Sequence, residues 1–187
     1  MTTTLISHRA CLEHDTGPHH PECAERLRAV MDALEAEVFA DLIREEAPEA
    51  TVEQLSRVHP REYVEAIIAI RPELGEAVQL DGDTRMSAGS AEAALRAAGG
   101  AVMGVDAVME GWARTAFVAV RPPGHHAEPR RPMGFCMFNN VAVAALHARA
   151  RWGVQRVAVV DFDVHHGNGT QAMFTDDKDL FYASSHQ

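Results

Sequence analysis

The feature that most constrains the fold is an apolar run, Val157–Val160, that passes directly into the polar sequence Asp-Phe-Asp-Val-His-His-Gly-Asn-Gly at 161–169. Such a run is typical of a strand buried on both faces. Because successive side chains of a strand point to opposite faces, Asp161, Asp163 and His165 can project to one side at its carboxyl end. Open α/β sheets bind ligands at that end. The segment therefore predicts a metal site there, since carboxylates and imidazoles are common metal ligands.

Composition and charge limit the class of protein. The 187 residues are 47% hydrophobic and 24% charged, which supplies enough apolar material for one domain over 1–187. A formal net charge of −10 without a run of Lys or Arg argues against direct nucleic-acid binding. No targeting segment and no apolar stretch of about 18 residues is evident, so we expect a cytoplasmic protein without membrane contact. Three widely separated cysteines fit a reducing compartment.

Helical and strand patterns alternate along the chain. Apolar spacing predicts a helix from near Pro21 that includes Val38, and Thr51 with Gln54 forms a capping-box pattern at the next helix. Further segments are predicted as helices at 61–70, 90–110 and 140–151, and as strands at 116–120, 154–161 and near 182–185. Apolar strands that alternate with helices indicate an α/β protein with a mostly parallel sheet covered by helices on both faces.

A second polar cluster follows the strand at 116–120. Its sequence is Arg-Pro-Pro-Gly-His-His at 121–126. Because the carboxyl ends of parallel strands lie at one edge of a sheet, this loop and the segment at 161–169 can converge on one crevice. A lone loop histidine is more often structural, but a tandem pair opposite a second Asp/His cluster favours a functional site.

The order of these motifs resembles the zinc-dependent histone deacetylase family, within the arginase/deacetylase superfamily. The asparagine at 168 resembles the class II branch and its bacterial relatives, which include acetylpolyamine amidohydrolases. The resemblance implies a three-layer α/β fold of the arginase/deacetylase type and zinc-dependent hydrolysis of an N-acetyl amide, with acetyl-lysine in proteins or peptides as substrate. The motifs that carry it are Arg121–Glu128, Gly134–Asn140, Asp161–Gln171, His20-Pro21-Glu22 with Arg26, and Asp81–Thr84.

The resemblance assigns roles to the residues at the two strand ends. Asp163 and His165 are the expected zinc ligands, with a position left open for water and the substrate carbonyl. His126 is the expected general base and acid, and His125 its electrostatic partner. Asp161 is expected to orient His125, and Asn168 to orient His126. For Asp161 and Asn168, the alternative is that they make only ordinary turn and strand-end hydrogen bonds.

Other positions match the substrate site of the family. Phe135 resembles an aromatic wall of an acyl-lysine tunnel, Gly134 allows close approach of the chain, and Cys136 is expected to be buried near the metal. Asp83 resembles a residue of the substrate rim, and Arg26 the arginine of an acetate channel. The alternatives are that Phe135 is a core residue, that Asp83 lies in an ordinary turn and that Arg26 is solvated.

The resemblance also implies a structural potassium ion. Oxygen ligands suit such a hard cation. The matching positions are Asp161, Asp163, His165, Ser184 and Ser185.

A third zinc ligand and a catalytic tyrosine are not recognisable, since neither Tyr63 nor Tyr182 lies in the matching context. We therefore expect an amino-terminal part of a catalytic domain, incomplete at its carboxyl end and weak or inactive by itself. Two alternatives stay open: a deacetylase of small acetylated polyamines, and a non-catalytic module that binds metal or acyl-lysine. The physiological substrate, the acyl-chain preference and a homo-oligomeric state are also left open.

Overall fold

The structure, a computed structural model, describes residues 2–187 as an α/β fold. The strands are β1 (Thr3–Ser7), β2 (Ile43–Glu46), β3 (Ala77–Gln79), β4 (Arg85–Ser87), β5 (Thr115–Val118), β6 (Val157–Asp161) and β7 (Leu180–Ser184). The helices are α1 (Ala24–Ala33), α2 (Val52–Leu55), α3 (Arg61–Ala69), α4 (Ser90–Glu110), α5 (Asn140–Trp152) and α6 (Asn168–Phe174). Short 3-10 helices cover Arg9–Leu12 and Glu37–Phe39.

Five of the seven strands in the described chain pair in parallel. One sheet has the order β2-β1-β5, and a second sheet pairs β6 with β7. Strands β3 and β4 form a separate antiparallel pair. Parallel pairing places the carboxyl ends of β1 and β5 at one edge of the first sheet, and those of β6 and β7 at one edge of the second. The predicted α/β class with a mostly parallel sheet flanked by helices is confirmed.

Helices cover both faces of the three-stranded sheet. Leu5 packs with Leu27 of α1 on one face, while the adjacent Ile6 lies against α4 on the other. An added Cβ at Gly100 of α4 would lie 3.4 Å from the Ile6 side chain and 3.2 Å from Val118, so small residues let this helix pack closely on β1 and β5. The predicted buried helix at 90–110 is therefore confirmed.

Sequence patterns predicted the start of two helices correctly and the extent of a third helix incorrectly. Thr51 and Gln54 form the predicted capping box, and α3 begins directly after Pro60. Helix α1, however, begins at Ala24 and ends at Ala33. The prediction that Val38 belongs to its apolar face is wrong, because Val38 lies in a separate 3-10 helix and is 81% exposed.

The two parallel sheets are separated by an apolar cleft. Within residues 2–187, β5 pairs only with β1, and β6 only with β7. A cavity of about 720 Å³ lies between them, lined by residues of β5 and β6 and by the facing sides of α4 and α5. Beyond it, Val160 and Phe162 are 69% and 86% exposed. In the part of the chain that the structure describes, no helix combines the length and the apolar character needed to cross a membrane.

Two buried histidines make the stability of this fold dependent on pH. Burial is the main cause that lowers the pKa of His14 and of His59 to about 4. Each ring is held neutral: His14 Nδ1 lies 2.7 Å from Ser90 Oγ, and His59 Nε2 accepts the N–H of Asn139 at 3.0 Å. The unfolded chain protonates its histidines near pH 6.5, above the folded pKa. This contribution to stability is therefore present above pH 6.5 and lost as the pH falls towards 4.

We predict that the free energy of unfolding falls by up to about 2 kcal/mol per buried histidine between pH 6.5 and 5. Urea unfolding at a series of pH values measures the slope. His59→Gln should reduce that slope, because it removes one of the histidines whose pKa is lowered by burial. His19→Asn, at an exposed position, is the matched control. An unchanged slope in His59→Gln would contradict the assignment.

Candidate active site

A buried ion pair anchors the loop that follows β5. The guanidinium of Arg121 binds the Glu22 carboxylate through Nε and through Nη2, the latter at 2.9 Å. The side chains are only 5% and 1% exposed. Arg121 also donates to the carbonyls of Cys11 at 2.8 Å and His14 at 3.0 Å. Four hydrogen bonds therefore connect the end of β5 to the segment 11–22.

His125 is oriented by a carboxylate from the end of β6. Its Nδ1–H donates to Asp161 Oδ2 at 2.9 Å, which leaves Nε2 free for other partners. Burial opposes ionisation of Asp161, but the hydrogen bond from His125 and the N–H of Asp163 outweigh it and hold the pKa of this carboxyl below its usual value. The carboxylate form that is needed to accept the His125 proton is thus the stable one.

His126 is oriented by an amide in place of a carboxylate. Its Nδ1 lies 2.7 Å from Asn168 Oδ1, while Asn168 Nδ2 donates to the Glu128 carboxylate at 3.0 Å. The contact with Glu128 identifies the amide nitrogen of Asn168. Its Oδ1 must therefore accept a hydrogen bond from the Nδ1–H of His126. Burial, helped by the neighbouring His125 and His165, lowers the pKa of His126 against the effect of this hydrogen bond. A neutral imidazole with a free Nε2 is the form a general base requires.

Asp163 and His165 place two donor atoms near the histidine pair. Asp163 Oδ1 and His165 Nδ1 are 3.3 Å apart, and the same oxygen lies 3.8 Å from His125 Nε2. Two ligands of one tetrahedral zinc at about 2.1 Å are separated by about 3.4 Å, so this oxygen and nitrogen fit the ion. Among residues 2–187, no group of three or more His, Cys, Asp or Glu side chains is arranged to hold a metal. The described residues thus offer two candidate zinc donors, fewer than a complete shell needs.

The loop around Phe135 is held in an unusual backbone conformation. Gly134 has φ +55° and Phe135 has φ +69°, a region that side chains other than glycine rarely occupy. Asp83 Oδ1 accepts the N–H of Gly134 at 3.2 Å, and Thr84 Oγ1 accepts the N–H of Phe135 at 2.9 Å. A Cβ at Gly134 would enter the His126 ring, so only glycine fits there. The structure therefore places Asp83, Gly134 and Phe135 in one wall beside His126.

The remaining predicted positions lie around this wall and the two strand ends. Cys136 is buried below it, and burial raises the pKa of its thiol to about 12, which disfavours a nucleophilic thiolate. Arg26 lines a cavity of about 300 Å³ that Arg121 also lines. Ser184 pairs with Asp161 across β6 and β7, and the N–H of Ser185 donates to the Asp161 carbonyl at 3.0 Å. Three of the positions predicted for potassium, Asp161, Ser184 and Ser185, are thus adjacent. The Ser184 hydroxyl oxygen also lies 2.9 Å from His186 Nδ1.

Sequence reasoning did not predict the contacts that three residues make in this site. Glu22 was noted within a motif, but its partner Arg121 lies 99 residues away. Thr84 is buried and holds the Phe135 backbone. Tyr182 contacts Asp161 through its hydroxyl. The alternation of Tyr182 with Ser184 along one predicted strand was the available signal for Tyr182, because alternate residues share a face.

Comparisons with known proteins point to one family. The histone deacetylase domain matches residues 20–187. Histone deacetylase-like amidohydrolase of Pseudomonas aeruginosa is 40% identical over 99% of this chain and 53% of its own length. Histone deacetylase 14, chloroplastic, of Arabidopsis thaliana is 37% identical over 98% of this chain and 47% of its own length.

A solved structure supports the same relationship. The crystal structure of the HDA15 HD domain superposes with a TM-score of 0.92 at 38% identity. The match covers 99% of this chain and 53% of that one. The chain thus spans about half the length of the relatives it matches.

We predict that Arg121→Met lowers the free energy of unfolding by about 3–5 kcal/mol, because it leaves the Glu22 carboxylate buried without a partner. Urea unfolding measures the loss, and adding Glu22→Gln should recover part of it. The control is Arg61→Met, which breaks an exposed pair with Glu65 and should cost less than about 1 kcal/mol. Equal losses in Arg121→Met and Arg61→Met would refute the anchoring role.

Proposed function

The chain belongs to the histone deacetylase domain family, and on that premise we propose that it forms the amino-terminal part of a zinc-dependent amidohydrolase that removes acetyl groups from lysine side chains. The observation that carries the proposal is the paired orientation of His125 and His126. Each ring gives its Nδ1–H to a residue from the β6 end, Asp161 or Asn168, and keeps Nε2 free. The Nε2 of His125 lies 3.8 Å from Asp163 Oδ1.

The proposed roles follow from protonation. His126 is kept neutral by burial and by its neighbours, so its Nε2 can accept a proton from an attacking water and later return one to the departing amine. His125 is bound to an ionised Asp161, which stabilises positive charge on its ring during that transfer. Zinc, held by Asp163 and His165, would supply Lewis-acid polarisation of the acetyl carbonyl and acidify a water.

An acetylated lysine side chain suits the wall beside His126. Phe135 is held by the hydrogen bond from its N–H to Thr84 Oγ1 and by an edge-to-face contact with His20 at 4.7 Å between ring centroids. A rigid aromatic surface binds an aliphatic stem and excludes water from the scissile amide. Acetylated proteins or peptides are therefore the proposed partners. The potassium ion, an acetate channel at Arg26 and the cytoplasmic location stay predictions.

We predict that residues 1–187 bind zinc through Asp163 and His165, and weakly, because these residues supply two of the usual three protein donors. Competition with a chromophoric chelator measures the affinity. Asp163→Asn or His165→Ala should each weaken binding by at least about tenfold. His19→Asn serves as the control for loss of an exposed histidine. Unchanged affinity in both ligand variants would exclude this metal site.

We further predict that His126→Ala lowers zinc-dependent hydrolysis of an acetyl-lysine peptide by about 10²–10⁴-fold, because the general base is lost. The same variant should keep its zinc affinity, since His126 is not a ligand. The rate is measured as released lysine amine per enzyme, with His19→Asn as control. Full activity in His126→Ala would overturn the assigned role.

A further inference from the structure

Tyr182 lies where the two halves of the histidine-orienting network meet. It stands on β7 opposite Val159 of β6, two residues before the strand end that faces Asp161. Its hydroxyl donates to Asp161 Oδ2 at 3.0 Å. Burial raises the pKa of this phenol above its usual value, so it is protonated and able to donate at neutral pH.

The Asp161 carboxylate accepts three hydrogen bonds when this contact is included. Oδ2 accepts both the Tyr182 hydroxyl at 3.0 Å and the His125 Nδ1–H at 2.9 Å. Oδ1 accepts the N–H of Asp163 at 3.2 Å. Three donors from three directions leave the carboxylate one orientation, and that orientation determines where the His125 ring lies.

The same hydroxyl also accepts a hydrogen bond. The N–H of Gly167 points to Tyr182 Oη at 2.9 Å. Gly167 is the residue directly before α6, and a Cβ at this position would lie 2.6 Å from Oη and 3.0 Å from His125 Nδ1. Only glycine therefore permits the phenol to reach the loop at this point.

The contact with Gly167 extends the effect of Tyr182 to the second histidine. Asn168 follows Gly167 as the first residue of α6, and its Oδ1 binds His126 Nδ1 at 2.7 Å. Fixing the Gly167 backbone therefore fixes the start of α6 and the Asn168 side chain. One hydroxyl thus connects the residue that orients His125 with the residue that orients His126.

We infer that Tyr182 is a positioning residue for the histidine pair, through its simultaneous contacts with Asp161 and Gly167. Its role in turnover rests on the proposed deacetylase function, whereas its effect on ring orientation does not. A residue that only stabilises β7 would not influence the His125 proton or the Gly167 amide selectively.

Tyr182→Phe tests this inference, because it removes the hydroxyl and keeps the ring. The chain offers one matched control, since its other tyrosine, Tyr63, donates its hydroxyl to the Met137 carbonyl at 2.6 Å, outside the network. In ¹⁵N-labelled protein, Tyr182→Phe should speed exchange of the Gly167 amide by about tenfold, the effect of one lost hydrogen bond of about 1.4 kcal/mol. The His125 Nδ1–H signal should broaden or disappear. Tyr63→Phe should leave both unchanged.

Turnover supplies a second, separate measurement. Tyr182→Phe should lower kcat for an acetyl-lysine peptide by about three- to tenfold with KM unchanged, and by a smaller factor in an Asp161→Asn background, where only the contact with Gly167 is left to lose. An unchanged Gly167 amide and His125 proton in Tyr182→Phe, the same changes in Tyr63→Phe, or a full kcat effect in the Asp161→Asn background would each refute the inference. Loss of zinc binding in neither Asp163→Asn nor His165→Ala would count against the proposed function, while the two magnetic-resonance measurements decide the role of Tyr182 even if residues 1–187 turn over too slowly to measure.

Discussion

The site depends first on the buried pair of Glu22 and Arg121. The side chains of Glu22 and Arg121 are 1% and 5% exposed. Charges buried to this extent are stable only when they are paired and hydrogen-bonded, so each residue holds the other in place. Arg121 is also bonded to the carbonyls of Cys11 and His14, which joins the segment 11–22 to the end of β5. The loop that carries His125 and His126 begins from this anchored point, and its geometry follows from that of the pair.

A second constraint is that the loops after β5 and β6 meet, although the two strands belong to different sheets in the described chain. His125 and His126 after β5 contact Asp161 and Asn168 after Val160 of β6. The two histidines differ in their orienting group, a carboxylate for one and an amide for the other. The carboxylate places a negative charge beside His125, whereas the amide adds none beside His126, whose pKa is lowered by burial. This difference matches the separate roles proposed for the two rings.

Much of the fold could be predicted from local patterns. The capping box at Thr51, the small-residue helix α4 and the strands before the two polar loops follow from spacing and residue type. Strand β1 was not predicted, although it is central to its sheet, because five residues flanked by polar ones carry little periodic signal. The end of α1 was missed because apolar spacing continues beyond Ala33 while the backbone does not.

The sequence by itself determined the α/β alternation from residue 90 onward, the residue types at the strand ends and the candidate zinc donors. Family resemblance also implied the partners of the two histidines, Asp161 for His125 and Asn168 for His126. Only the tertiary structure decided the pair of Glu22 and Arg121, which are 99 residues apart, and the atoms through which all three pairs meet. Hydrogen bonds act over about 3 Å and depend on direction. Their partners are therefore set by how the sheets and helices pack, and separation along the chain does not reveal them.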